Sequence, residues 1–368
     1  MKIHTRSLIF VLSLSVISTL SAHASTVKAP LGVRPCCAFG KDLKAKVGAV
    51  PVPFLSLNNV LGINDIGSHR YNDGSSSVAV NLLGLSKEKN GLLFSTQGGF
   101  IDTAHVRDTA DYTYYLFQNM QGSLGTSHAL NLPAELKVRR IQWVDNKTPL
   151  SAAEKNQLSA DAAALLAFRL AQWHEIAQWF GMVSVRGFKE YASAFSAEDL
   201  YSNMLGANLA KTILLAHPDI QISDFNREMD VIFAKQMKAL GVQPVAITNE
   251  KMEQLDGVWW DSSQRLPDKW VVIFRDYRFG LQLSPNYPGA DHPLSLSERS
   301  VNDQPIAQWV QLELHSAGKD NAFDQLPNGI KTQKIWTVEY FQLLANFAKQ
   351  QDTRELEERR YSQTQPLP

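Results

Sequence analysis

Cysteine is almost missing from this chain. Its 368 residues include two, Cys36 and Cys37, side by side in RPCCAFG. That excludes a scaffold stapled by several disulfides and a four-cysteine zinc site. Neighbouring Cα atoms lie about 3.8 Å apart, below the usual disulfide range, so these two can join only through a strained ring. A vicinal disulfide, a pair of soft metal ligands and two small buried hydrophobes all stay open. An excess of either charge is missing too, with 36 basic against 36 acidic residues. The chain therefore carries no electrostatic footprint for nucleic acid or an anionic membrane. No GxGxxG follows a strand, so no nucleotide cofactor is expected. No Gly-x-Ser-x-Gly elbow is present, which argues against a serine hydrolase.

Long apolar runs are confined to the start. Lys2 and Arg6 precede the apolar stretch Ser7 to Ser21, and Ala22-His23-Ala24 fits the small-x-small cleavage rule. Residues 1–24 read as a cleavable signal peptide, with the mature chain starting at Ser25 in the periplasm. An uncleaved anchor is the alternative, against which the run is short and rich in Ser. Losing Lys2 and Arg6 leaves 34 basic against 36 acidic residues, a net charge of about −2. No transmembrane span is expected after cleavage.

What the chain does have is a patterned centre. Residues 25–97 suggest short strands at Ser77 to Leu83 and Gly91 to Ser95. Helices are expected from Asp102 to Met120 and from Ser159 or Asp161 to Phe180, the second stopped by Gly181. Another runs from a capping box at Ser196-Ala197-Glu198-Asp199 to Ala216, and a fourth from Asp224 to Leu240. Beyond about residue 245, strands are expected at Trp270 to Phe274, Phe279 to Leu283 and Trp309 to Leu314. A long helix follows from Lys334 to Arg360, then a disordered tail from about residue 361. The order favours an α+β fold: a helix-rich centre with a buried polar site, flanked by short strands and a long C-terminal helix. Residues 25–245 form the main domain. Residues 246–368 form a C-terminal α+β region, within that domain or beside it.

The polar site is read from one helix. DAAALLAFRLAQWHEIAQWF (Asp161 to Phe180) is apolar almost all round and so should be buried. It nevertheless carries His174 and Glu175, with Arg169 and Gln172 one turn back. Buried ionisable groups need partners. His174-Glu175 matches the opening of HExxH, but Gln178 stands where the second His would be. Other segments can supply ligands. His105, Asp108 and Tyr112 share a helical stripe with Asp111 at its edge, and Asp102 precedes them. Glu198, Asp199 and Asn203 open the next helix, and His69 lies in a Gly-flanked loop.

Two functions follow. In the first, His105, His174 and Glu198 or Asp108 hold zinc, and Glu175 is the general base of a metal-dependent hydrolase. In the second, the same groups are a buried polar network in a non-catalytic envelope protein. Its exposed aromatics, such as Trp259-Trp260, would then bind a partner or glycan.

RPCCAFG, GGFIDTAHVRDTADYT (Gly98 to Thr113), WHEIAQWFG and FSAEDLYSNMLG (Phe195 to Gly206), in that order, resemble an exported bacterial family, the domain of unknown function 4056. The resemblance extends to about residue 245. It implies no activity; it implies that these polar segments belong to one domain.

Overall fold

The structure is a computed structural model, and it describes residues 27–32, 34, 38–47, 50–57, 59–73, 88–183, 189–318 and 321–364. The expected signal peptide, the strand at 77–83 and the Cys36–Cys37 pair lie outside them.

The fold is α+β. Two hairpins come first: β1 (Leu43–Val47) with β2 (Val50–Leu57), and β3 (Leu92–Ser95) with β4 (Gly99–Asp102). Helix α1 (Thr103–Met120) leaves β4 directly, with the Asp102 carboxylate capping the Ala104 and His105 amides. A third hairpin, β5 (Ala129–Glu135) and β6 (Lys137–Trp143), leads to α2 (Ala152–Trp179). Helix α2 starts earlier than expected. Its cap is Ser151, in a capping box with Glu154, rather than Ser159 or Asp161. Its second half is buried all round, as its apolar composition requires.

Helix α3 (Asp199–Ala216) begins three residues later than the expected capping box, and Ser196 caps nothing; its hydroxyl donates to Glu198 instead. Helix α4 (Ile222–Ala239) is amphipathic, burying Phe225, Met229, Phe233 and Met237 at four-residue spacing, and α5 (Val245–Glu253) follows.

The C-terminal part is short-stranded. β7 (Gln282–Leu283) pairs with β8 (Leu294–Ser295). β9 (Val310–Ser316), α6 (Asn328–Lys331), β10 (Ile335–Trp336) and the long α7 (Phe341–Thr364) complete the chain. The expected strand at Trp270 to Phe274 is a 3-10 turn (Lys269–Val271) with single bridges beyond it. Helix α7 starts later than Lys334 because 335–340 hold β10 and a 3-10 turn, and it continues past residue 361 to Thr364.

Antiparallel β10, β9, β6 and β5 form one sheet in that order, drawing strands from both sides of residue 245. Helices α1, α2 and α3 pack against one another beside it, and a continuous apolar core joins the sheet, these helices and α7. Trp259 and Trp260 are not exposed; both are buried in a second aromatic cluster with Phe39 and Phe100. Among the described residues, no helix is long and apolar enough to cross a membrane.

Candidate functional site

The three central helices meet at a cluster of acids. Asp102 stands where β4 becomes α1, and its own amide donates to the Ser202 hydroxyl of α3. One turn on, His105 faces α3. Its Nε2 lies 3.1 Å from Asp199 Oδ1, and its Nδ1 lies 3.3 Å from Asn203 Oδ1. Asp199 and Asn203 are four residues apart and share the face of α3 turned toward α1. The helices approach closely because residue 206 is glycine: a Cβ there would sit 2.0 Å from the Val106 carbonyl oxygen.

Ligand-capable atoms of Asp102, His105 and Asp199 all lie within 4.8 Å of one another, and all three residues are buried. This group could hold a metal ion. Two further acids border it. Glu175 of α2 is fully buried. Its Oε2 accepts the Phe195 amide at 2.8 Å, while Oε1 has no hydrogen-bond partner among the described residues. Glu198 accepts the Ser196 hydroxyl on Oε2 and likewise leaves Oε1 unpartnered. Asp199 Oδ2 also finds no donor there.

The electrostatics follow from that geometry. Burial, then the charge of Asp199, pushes Glu175 up to about 8, and the same two causes hold Glu198 well above the usual carboxylate range. Burial alone would depress His105. Asp199, by charge and hydrogen bond, then Asp102 and Glu175, outweigh it and hold the imidazole well above its ordinary value. Four carboxylates around one imidazolium repel one another. Either protons or a cation must relieve that repulsion.

One to two turns further along α1 the alternative solution appears. There Arg34 reaches Glu88 (2.7 Å), Asp108 (2.6 Å) and Asp111 (2.8 Å). His69 Nε2 lies 3.0 Å from Asp111, and Arg107 lies 3.4 Å from Glu88. Arg34 holds Glu88 and Asp111 below the usual range although burial alone would raise them. These acids already have cations. Asp108, expected as a metal ligand, and Asp111 and His69, expected to support one, belong to this network instead.

His174 also leaves the expected set. Adjacent helical residues point about 100° apart, so His174 faces β5 while Glu175 faces α3. His174 Nδ1 lies 3.4 Å from Glu135, which also pairs with Arg139 at 2.7 Å. Arg169 does not pair with Glu175; it donates to Gln172 and to Glu298. Gln178 donates to Glu190. Of the expected residues, the structure brings together Asp102, His105, Glu175, Glu198, Asp199 and Asn203. Glu135 and Arg275 were not anticipated, because His174, Ala194 and Asp352, which they meet, are distant in sequence. Asp102, expected only to support the site, stands with His105 in the group that could hold a metal; their Asp-x-x-His spacing across the helix start is the signal that could have shown it.

A small cavity of about 10 Å³, room for about one water, lies beside the acids. Glu198, Phe100, Tyr201, Trp259 and Tyr287 line it.

One protein family, described as "Protein of unknown function (DUF4056)", matches residues 24–288. The chain belongs to this family. The match reaches beyond residue 245 and takes in every acid of the DUF4056 cluster, Trp259 and Tyr287. No curated protein and no solved structure matches the chain.

Proposed function

We propose that this DUF4056 protein is a periplasmic metal-dependent hydrolase whose cation is held by Asp102, His105 and Asp199. The observation that carries this reading is the set of buried oxygens on Asp199, Glu175 and Glu198 without hydrogen-bond partners among the described residues, around a three-ligand group. One imidazole and two carboxylates suit zinc, with manganese next as a harder cation. Three protein ligands leave a coordination position for water, as catalytic sites require. A bound cation in such a site supplies Lewis acidity that brings a water's pKa to about 7. Beside a bound cation the Glu175 carboxyl would fall from its raised value, and the carboxylate so formed is the proton acceptor. The Phe195 amide fixes its Oε2, which leaves Oε1 to take the proton. Glu198 lines the small cavity beside this group. Positively charged and apolar segments followed by Ala22-His23-Ala24 support export.

Metal analysis of the mature protein tests the reading. It should find about one equivalent of divalent metal. His105→Ala or Asp199→Asn should abolish it. Glu175→Gln should keep the metal and remove hydrolysis across a panel of ester, peptide and cell-wall substrates. Metal-free protein that takes up no added zinc or manganese would leave the acids as a protonated structural network, and the hydrolase reading would fall. N-terminal sequencing of the exported chain should begin at Ser25; a chain retained in membranes with Met1 intact would contradict the periplasmic assignment.

A further inference from the structure

We propose that Arg275, backed by Asp352, is a positioning residue for the cation site, setting where Glu175 and Asp199 stand. The inference rests on the metal reading for its functional consequence, but not for its geometry. The loop 194–198 delivers both the amide that holds Glu175 and the first turn of α3. Phe195 adopts φ +59°, a left-handed conformation that a non-glycine residue keeps only when its surroundings impose it.

Those surroundings are Arg275 and its neighbour. The buried Arg275 guanidinium donates to the Ala194 carbonyl, on the residue before Phe195, and to the Lys269 carbonyl at 2.6 Å. The Arg275 backbone bridges to Ser196, and the Asp276 amide donates to the Phe195 carbonyl at 2.7 Å. The loop is thus gripped on three consecutive residues from one side. With Phe195 fixed, its amide meets Glu175 at 2.8 Å.

Arg275 is itself held from behind. Its Nε lies 3.8 Å from Asp352 Oδ2 on α7. Asp352 is buried and also receives Trp179 Nε1 from α2 at 3.0 Å, the Tyr277 hydroxyl at 2.5 Å and Lys269 at 2.5 Å. Trp179 is one turn beyond Glu175 on the same helix. Asp352 therefore ties the helix carrying Glu175 to the segment carrying Arg275. It lies outside the part of the chain that matches the family, so a C-terminal helix beyond the family match completes the support of the family's acid cluster.

The test uses the full mature chain in three variants: Arg275→Lys, Asp352→Asn and, as a control in the Arg34 network, Glu88→Gln. Zinc and manganese affinities are measured by calorimetry at a temperature where each variant is folded. Residue-resolved hydrogen exchange is followed at the Phe195 amide without metal. Loss of a group that orients metal-site residues costs roughly 10- to 100-fold in metal affinity. Arg275→Lys and Asp352→Asn should show that loss together with selectively faster exchange at Phe195. Glu88→Gln should lower the melting temperature yet keep both affinity and Phe195 protection. Co(II)-loaded Arg275→Lys should also show an altered visible spectrum, which simple destabilisation would not produce. Unchanged Phe195 protection in both variants overturns the proposal, whatever the metal result. If the wild type binds no metal but Phe195 protection falls selectively, the metal reading fails and the positioning role stands.

Discussion

His174 keeps its proton far above the ordinary range because Glu135 stands beside it. Burial would depress the imidazole, but the charge and hydrogen bond of Glu135, then Glu175 and Glu190, raise it to about 9. The unfolded chain returns it to about 6.5. The stabilisation is therefore fully present below about pH 6.5 and is lost as pH rises through about 9. Urea unfolding at pH 6 and pH 9.5 should show a fall of roughly 3 kcal/mol in the wild type attributable to this pair. His174→Gln should lack that part of the slope; an identical slope in both would show that Glu135 does not hold the proton. His174 and Glu175 are neighbours in the chain but point about 100° apart, so reading them as one unit placed them in one site. The need of both for buried partners was legible. Which partners they found was not, because Glu135 and the Phe195 amide come from separate elements.

At the scale of elements, the site depends on how closely α1 and α3 pass. Gly206 sets that distance, and a methyl group there would meet the Val106 carbonyl at 2.0 Å. Overpacking usually costs 1–3 kcal/mol, and occasionally more. Gly206→Ala should therefore lose about 3 kcal/mol in urea unfolding, and it should weaken metal uptake by moving His105 off Asp199. A variant of near wild-type stability that still binds metal would show that the helices can separate without harm. Helices α1, α2 and α4 were legible from periodicity and stop signals. Strands β5 and β6 were not, for a physical reason: the buried face of β6 carries Lys137 and Arg139 beside Ile141 and Trp143. Lys137 buries its charge over the Trp336 ring at 4.2 Å, and Arg139 pairs with Glu135. Trp336 is distant in sequence and Glu135 lies just across the hairpin turn, and with charged residues on its buried face the strand shows no apolar alternation. The capping box at Ser196 misled for the opposite reason. The motif is local, but Glu198 is drawn into the acid cluster and the helix starts after it.

At the scale of the whole molecule, the family match and the physical unit have different ends. The match stops at residue 288, while the sheet and the core do not. β9 pairs with β6 along its full length, from Lys137 opposite Ser316 to Trp143 opposite Val310. Trp336 and Phe341 pack against Trp173 of α2, and Asp352 receives Trp179. The order of strands, helices, strands and a final helix was visible in the sequence. The pairing of β6 with β9 was not, because no local pattern records which distant strand lies alongside. Removing residues 289–368 would expose the inner edge of β6 and the Trp173 face of α2 together. It would also strip Arg275 and Lys269 of the buried acid that balances them. A mature chain ending at Pro288 should therefore lose its near-UV circular dichroism and its cooperative thermal transition, keeping helical far-UV signal at most. A sharp transition within a few degrees of the full chain would instead make residues 24–288 an autonomous folding unit, with α7 an accessory laid over it.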